Sequence, residues 1–94
     1  MSKDMHAQKL ADVLCSIQSQ KEMEDFISDL LTPSERKDLW ERWCIIDYLL
    51  KGHSQREIRD MLKVSISKVT RGSQEIQKGT GAFRKLWMRI YKSN

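Results

Sequence analysis

The chain has 94 residues, of which 39% are hydrophobic, and its 17 Lys and Arg against 13 Asp and Glu give a net charge of +4. With one Pro and four Gly it is neither a flexible linker nor a disordered tail, and its length predicts a single small globular domain over residues 1–94. No apolar run approaches the roughly 20 residues that cross a bilayer, and no secretory signal is recognisable, so we expect a cytoplasmic protein. Cys15 and Cys44 lie among apolar neighbours and are predicted to be buried thiols in a reducing compartment rather than a disulfide.

Two amphipathic helices are predicted in the first third of the chain. The first begins near Lys3 or Asp4, and its end near Ser19 and Gln20 is not sharply marked. Apolar residues at intervals of three and four place one face of each helix against a core. These residues are Leu10, Val13, Leu14 and Ile17 in the first helix, and Met23, Phe26, Ile27, Leu30 and Leu31 in the second.

The third predicted helix has the clearest start in the chain. Thr32 is an N-cap, Pro33 takes the first helical position, and Glu35 completes a capping box. The helix should run to about Lys51, where Gly52 can end it in a left-handed conformation. Its apolar residues cover more than half of its circumference, which favours a central helix shared between two subunits of a homodimer; a monomer with a partly exposed Trp face is the alternative. They are Leu39, Trp40, Trp43, Cys44, Ile46, Leu49 and Leu50.

A helix-turn-helix is predicted within residues 54–78. Ser54 and Glu57 form a capping box for a short helix, the pattern breaks at 63–65, and Ser65 can cap a second, basic helix. Ile58, Met61 and Leu62 should face inward from the first helix, and Ile66, Val69 and Ile76 from the second. An ordinary helical hairpin would show the same pattern, so on this ground alone the two interpretations are about equal.

The distribution of charge favours DNA binding. Residues 1–50 carry a net charge of −4, whereas residues 51–94 carry +8. A basic half that coincides with the helix-turn-helix is typical of a phosphate-binding surface, and solubility alone does not explain why the acidic residues are segregated.

A last helix is predicted after Gly79-Thr80-Gly81, and no strand alternation or repeat is visible, so the predicted fold is all-α with six helices. The apolar residues of this helix are Phe83, Leu86, Trp87, Ile90 and Tyr91. His6, His53 and the two cysteines lack the spacing of metal ligands, and no nucleophile–base or carboxylate pair appears. We therefore predict no catalytic residue, no metal and no cofactor.

A set of short motifs is more specific than the helix-turn-helix pattern. In order, they are Leu31-Thr-Pro-Ser-Glu-Arg36, Arg42, Leu49-Leu-Lys-Gly52, Ser54-Gln-Arg-Glu57 and Thr70-Arg-Gly-Ser73, and they cover roughly residues 30–78. Together they resemble the bacterial tryptophan operon repressor family. The resemblance implies an intertwined homodimer that binds L-tryptophan as corepressor and then a palindromic operator in double-stranded DNA. Two reading helices on a two-fold axis suit such a palindrome.

The resemblance also implies the corepressor site. Arg42 and Arg71 match the two arginines that enclose the ligand, a role that suits guanidinium groups because they stack on aromatic rings and bind carboxylates. Thr32 matches a hydroxyl supplied by the other subunit, and Gly72 matches a position where the lack of a side chain lets the ligand approach closely. Each residue alone has a simpler interpretation, as a helix cap or a surface cation.

Two residues depart from the family pattern. Lys68 stands where the family usually carries a Thr, and Glu75 where it carries a Ser near the ligand's amino group. Glu75 can accept the ligand's ammonium, or it can form an ion pair with Arg71 four residues before it. The alternative that the chain is a repressor responding to another ligand, or to none, therefore remains open.

Eight residues are expected to contact DNA. The positions that match the family place Gln55, Arg56, Arg59 and Lys63 near phosphates, and Ile66, Ser67, Lys68 and Thr70 near base edges. Lys63 replaces a small residue or Gly in the turn and adds positive charge near the groove. The alternative from another class is a helical protein-interaction module whose basic face docks an acidic partner, which would show no preference for a palindrome.

Overall fold

The computed structural model describes residues 4–92, and these residues form six α-helices and no strand. In chain order the helices are α1 (Met5–Cys15), α2 (Gln20–Leu30), α3 (Pro33–Leu50), α4 (Gln55–Leu62), α5 (Ile66–Lys78) and α6 (Ala82–Tyr91). The all-α prediction and the predicted number of helices are confirmed. For the start of α1, Lys3 lies outside the described residues, and Asp4 is the N-cap whose carboxylate accepts the backbone N–H groups of His6 and Ala7.

The chain divides into two compact units, of which the first ends at Arg36 and the second begins at Lys37. In the first unit neither α1 nor α2 contains a buried residue. Nη1 of Arg36 donates to the carbonyl oxygens of Leu31 (2.7 Å) and Ser28 (3.1 Å), which ties the start of α3 to the end of α2. Cys15 is exposed because the apolar face of α1 is left uncovered, so the prediction of a buried thiol is wrong for this residue.

The predicted helix boundaries are confirmed wherever a capping residue marks them. The Thr32 hydroxyl accepts the Glu35 backbone N–H (3.2 Å) while the Glu35 carboxylate accepts that of Thr32 (2.9 Å). Ser54 and Glu57 form the same reciprocal pair at the start of α4, and the hydrogen bonds from Ser54 hold the pKa of Glu57 below its ordinary value. At the end of α3, Gly52 has a φ of +100°, a conformation that L side chains avoid.

The core of the second unit joins α3, α4 and α5, because each contributes one fully packed residue. These are Ile45, Ile58 and Val69, with Tyr48, Leu49, Leu62 and Val64 packed around them. The sequence pattern predicted Ile46 as part of the apolar surface of α3 but did not indicate Ile45, which is equally buried and faces the helix-turn-helix. The inward positions predicted for Ile66 and Met61 are wrong, since these side chains are 43% and 47% exposed in the chain.

A polar contact fixes α6 on α3. The buried indole of Trp87 donates from Nε1 to Oδ1 of Asp47 at 2.8 Å, and Lys51 pairs with the other oxygen of that carboxylate at 3.2 Å. The ring centroid of Phe83, one turn earlier on α6, lies 6.4 Å from that of Trp43 on α3. This arrangement brings Phe83 to the side of α3 that also faces α5.

Lys63 ends α4 in a strained conformation, since it is the only described non-glycine residue with positive φ (φ 58°, ψ 45°). We expect Lys63→Gly to raise the free energy of unfolding by roughly 0.5–1 kcal/mol, because glycine enters the left-handed region without a Cβ clash. Urea unfolding measures the difference, and Lys63→Ala, which retains the Cβ, is the control for the lost charge. A glycine variant no more stable than the alanine variant would contradict this explanation.

Candidate functional site

The helices α4 and α5 form a helix-turn-helix in which polar side chains fix the second helix. The Ser65 hydroxyl caps α5 by accepting the Lys68 backbone N–H at 3.3 Å. The Thr70 hydroxyl donates to Oε1 of Gln55 at 2.7 Å and so links α5 to the first turn of α4. Gln55 and Thr70, both predicted to contact DNA, therefore have a structural role as well, and their DNA contacts stay a prediction.

Most of the other predicted DNA-contacting side chains lie at the surface. Arg56, Lys63, Ile66 and Ser67 are exposed, and α5, which we call the recognition helix, carries two of them in its first turn. Arg59 is half-buried and donates from Nε to Asp60 at 2.9 Å, which raises the pKa of the guanidinium and lowers that of the Asp60 carboxyl. The exposed residues provide a basic, polar surface suited to phosphate groups.

An open cleft of about 290 Å³ is lined by α3, α5 and Phe83 of α6, all within the second unit. It brings together four of the five residues predicted to bind a ligand, which are Arg42, Arg71, Gly72 and Glu75. The fifth, Thr32, belongs to the first unit, where its hydroxyl caps α3. Residues that are 29 positions apart in the sequence, Arg42 and Arg71, thus line one cavity.

The walls of the cleft carry balanced charge. Arg42, Lys68 and Arg71 supply three cations, and Asp38, Glu41 and Glu75 supply three carboxylates. The apolar lining comes from Ile45, Ile46 and Phe83. Sequence reasoning missed Asp38, Glu41 and the apolar lining. Asp38 lies one turn before Arg42 on the same helix, so its helical spacing was a usable signal, whereas Phe83 gave none.

The sequence left open whether Glu75 forms an ion pair with Arg71, and the structure answers this question. Within residues 4–92, Arg71 and Glu75 form no ion pair within 4.0 Å, so the Glu75 carboxylate does not engage the Arg71 guanidinium. Instead Lys68 Nζ lies 2.9 Å from Oε1 of Glu41, and this contact raises the pKa of Lys68. In this conformation Lys68 is directed to the cleft rather than held free for DNA.

Gly72 lets α5 approach α3 more closely than any side chain would. A Cβ at this position would lie 2.8 Å from Cγ2 of Ile45 and 3.5 Å from Cδ1 of Leu49. Ile45 is almost fully buried, so an alanine at position 72 would push it out of its packed position. The lack of a side chain at Gly72 therefore serves the packing of two helices, and the close approach of a ligand expected there stays a prediction.

The described residues contain no group of three or more His, Cys, Asp or Glu side chains able to hold a metal ion. Among the helices between residues 4 and 92, none is both long and apolar enough to cross a membrane.

Comparison with known proteins identifies relatives over most of this chain. Residues 5–90 match the profile of the family described as Trp repressor protein. A Trp operon repressor homolog from Xylella fastidiosa (strain M23) is 38% identical over 78 residues, which cover 82% of this chain and 85% of the relative. Homologs of the same description are 41% identical over 71 residues in Vibrio vulnificus (strain YJ016), covering 74% and 70%, and 46% identical over 66 residues in Chlamydia trachomatis serovar D, covering 68% and 70%. The resemblance inferred from the short motifs is confirmed.

Proposed function

Because this chain belongs to the Trp repressor family and is therefore a DNA-binding transcriptional repressor, we propose that it binds a palindromic operator as a homodimer, with L-tryptophan as corepressor. As a member of a regulatory family it is not an enzyme. The observation that carries the proposal is the cleft between α3 and α5, because it joins the recognition helix to the scaffold and is lined by two arginines.

The chemistry of the cleft suits a small aromatic amino acid. The guanidinium groups of Arg42 and Arg71 can pair with an α-carboxylate and stack on an indole, and Glu75 can accept an ammonium group. Apolar side chains suit the ring, and a cavity of about 290 Å³ is of the size that takes a small metabolite. No metal or cofactor is needed for this function.

A second copy of the chain is the proposed partner of its uncovered apolar surface. Leu10, Leu30 and Leu39 are each about half exposed, and Trp40 is 65% exposed, which is costly for a single chain in water. A homodimer that covers these residues also supplies two recognition helices on a two-fold axis, as a palindrome requires. In that dimer Thr32 would contribute its hydroxyl to the ligand site of the other subunit.

We propose that ligand and DNA binding are coupled through the orientation of α5. A ligand that contacts α3 and α5 at the same time favours the orientations in which both contacts are made. If those orientations also fit successive major grooves, the ligand strengthens operator binding, by no more than its difference in affinity for the two sets of orientations.

Two titrations test the proposal. We expect a trp-type palindrome to be retarded in electrophoresis at lower protein concentration when L-tryptophan is present, and a scrambled duplex to respond little. Calorimetry should detect L-tryptophan, whereas tryptamine, which lacks the carboxylate, and indole-3-propionate, which lacks the ammonium, should each bind more weakly. No heat with millimolar L-tryptophan would reject it as corepressor, and equal affinity for both duplexes would reject operator recognition.

The charged walls of the cleft favour one second candidate, a repressor of the same kind that responds to another ligand. Three carboxylates and a lysine give the cleft more charged groups than an indole needs. The same calorimetric titration with other amino acids and their amines would identify such a ligand. The family assignment favours DNA over an acidic protein as the macromolecular partner.

Lysines at two places in the helix-turn-helix should affect DNA binding differently. We expect Lys68→Ala to weaken operator binding by about two- to fivefold and to affect scrambled DNA less, because it removes the ion pair with Glu41 that holds the first turn of α5 on α3. Lys63→Ala should weaken all sequences about equally and reduce the salt slope of binding by about one, as for a phosphate contact. Lys9→Ala in α1 is the charge-matched control. Equal losses on operator and scrambled DNA for both variants would contradict this division.

A further inference from the structure

The ion pair between Glu41 and Lys68 spans the same two helices as the proposed corepressor. We propose that Glu41 and Lys68 are positioning residues that hold α5 on α3 in the ligand-free protein, so that operator binding is partly independent of corepressor. The inference rests on the proposed function for its consequence at DNA, but the ion pair is a feature of the chain itself.

Because Lys68 lies near the start of α5, its contact holds this end of the helix on α3. Lys68 is the third residue of α5, and its Nζ reaches the carboxylate of Glu41 in the middle of α3, 27 residues away in the sequence. Among residues 4–92 it is the only side-chain hydrogen bond or ion pair between α3 and α5. The hydrogen bond of Thr70 joins α5 to α4 instead, and that of Trp87 joins α6 to α3. The polar attachment of α5 to α3 thus depends on one contact.

A second point of contact follows four residues later. Gly72 places the backbone of α5 against Ile45 and Leu49, and this apolar contact fixes distance but little orientation, since burial of apolar groups is not directional. Lys68 and Gly72 are separated by about 6 Å along the helix axis. Because α5 is held at two places along its axis, it cannot easily rotate on α3 about either contact. The ligand is proposed to restrict the orientation of α5 in the same way.

The strength of the pair sets the size of the effect. The side chain of Glu41 is 22% exposed and that of Lys68 is 56% exposed, so solvent screens the pair in part. Asp38 adds attraction for the lysine, and Arg42 opposes it. Pairs of this kind change an equilibrium by about two- to fivefold. The ion pair therefore supplements the ligand and does not replace it.

The test is Glu41→Gln, which retains the shape of the side chain and removes its charge. We expect ligand-free operator affinity to fall by about two- to fivefold, and the difference to disappear at saturating L-tryptophan. A simple charge effect has the opposite sign, because removing a carboxylate from a DNA-binding unit strengthens binding. Asp29→Asn in α2 makes the same change of charge outside the cleft and is the matched control for net charge.

Variants of Lys68 separate the ion pair from a general loss of structure. In a Lys68→Met background, Glu41→Gln should no longer weaken ligand-free binding, and only the opposite effect of the lost carboxylate should remain. In a Lys68→Arg background, which retains a cation, it should still weaken ligand-free binding. A full effect of Glu41→Gln without the lysine would overturn the proposal.

Amide hydrogen exchange tests the same proposal without DNA. In Glu41→Gln the amides of residues 70–74 should exchange about two- to fivefold faster, with α1 and the midpoint of thermal unfolding unchanged. If the wild-type protein shows no operator preference, the proposed function fails and this measurement alone decides the inference. Unchanged exchange in residues 70–74, or tighter ligand-free binding by Glu41→Gln, would overturn it.

Discussion

Ile58→Ala is expected to lower the free energy of unfolding by about 2–5 kcal/mol, the usual cost of truncating a buried isoleucine. Ile58 is 0% exposed and packs with Ile45 and Val69, so the cavity left by its side chain would open at the junction of three helices. Small domains have a total stability of about 5–15 kcal/mol, so this loss is a large fraction of the whole. Urea unfolding followed by helical circular dichroism measures it.

Ile66→Ala is the matched control, because it deletes the same atoms from a helix of the same unit. Ile66 is the first residue of α5 and is 43% exposed, so its truncation should cost less than about 1 kcal/mol. Equal losses for the two variants would show that the junction of α3, α4 and α5 is not the centre of the core. Loss of this junction would also release the recognition helix from its scaffold, so we expect Ile58→Ala to lose operator binding at a lower temperature than the wild-type protein does.

The helix ends were predictable because the signals that define them are local. Each capping box joins two residues within one stretch of four, and each residue accepts the other's backbone N–H. The boxes are Thr32 with Glu35 and Ser54 with Glu57, so both can be recognised from local sequence alone. Ser65 at the start of α5 works in the same way. Such caps need no tertiary partner, and for this reason the bounds of α3, α4 and α5 matched their predictions.

Burial was less predictable because it depends on what covers a helix face. Helical periodicity identified the apolar faces of α1 and α3, but it could not show that Cys15 and Trp40 would be exposed in the chain. Ile66 was misassigned for the same reason, since a position at the start of a helix can fit the apolar spacing without any element above it. The buried partner of the helix-turn-helix, Ile45, stands in a run of apolar residues where periodicity does not single out one residue.

The residues of the cleft were predictable only through the family resemblance. The spacing of Arg42 and Arg71 along the chain does not indicate that they share a site, whereas the family resemblance, carried by the ordered motifs, does. The structure places both residues in one cleft. The contact between Glu41 and Lys68 was not predicted because neither its sequence separation nor the family pattern indicates it. A tertiary ion pair of this kind is visible only once α3 and α5 are packed.

Arg71→Gln is expected to weaken L-tryptophan binding by about 10- to 100-fold, because charge-assisted hydrogen bonds to a carboxylate contribute about 1.5–3 kcal/mol. Arg71 lines the cleft and forms no ion pair with Glu75 within the described residues, so its guanidinium is available to the ligand. Arg71→Lys retains the charge but loses the planar guanidinium and its stacking surface. Its affinity for L-tryptophan should therefore lie between those of the wild-type protein and Arg71→Gln. Calorimetry provides all three affinities, with Arg89→Gln, exposed on α6 and outside the cleft, as the control for lost charge.

The same variant tests whether the ligand and the operator are coupled. Linkage requires that the factor by which L-tryptophan strengthens operator binding equals the factor by which the operator strengthens L-tryptophan binding. If Arg71 serves the ligand, Arg71→Gln should leave ligand-free operator affinity nearly unchanged and shift the ligand-dependent gain to higher L-tryptophan concentration. If Arg71 instead contacts phosphate, ligand-free affinity should fall and the salt slope should decrease by about one. Filter binding over a range of salt and L-tryptophan concentrations separates these two roles, because only the first depends on the ligand.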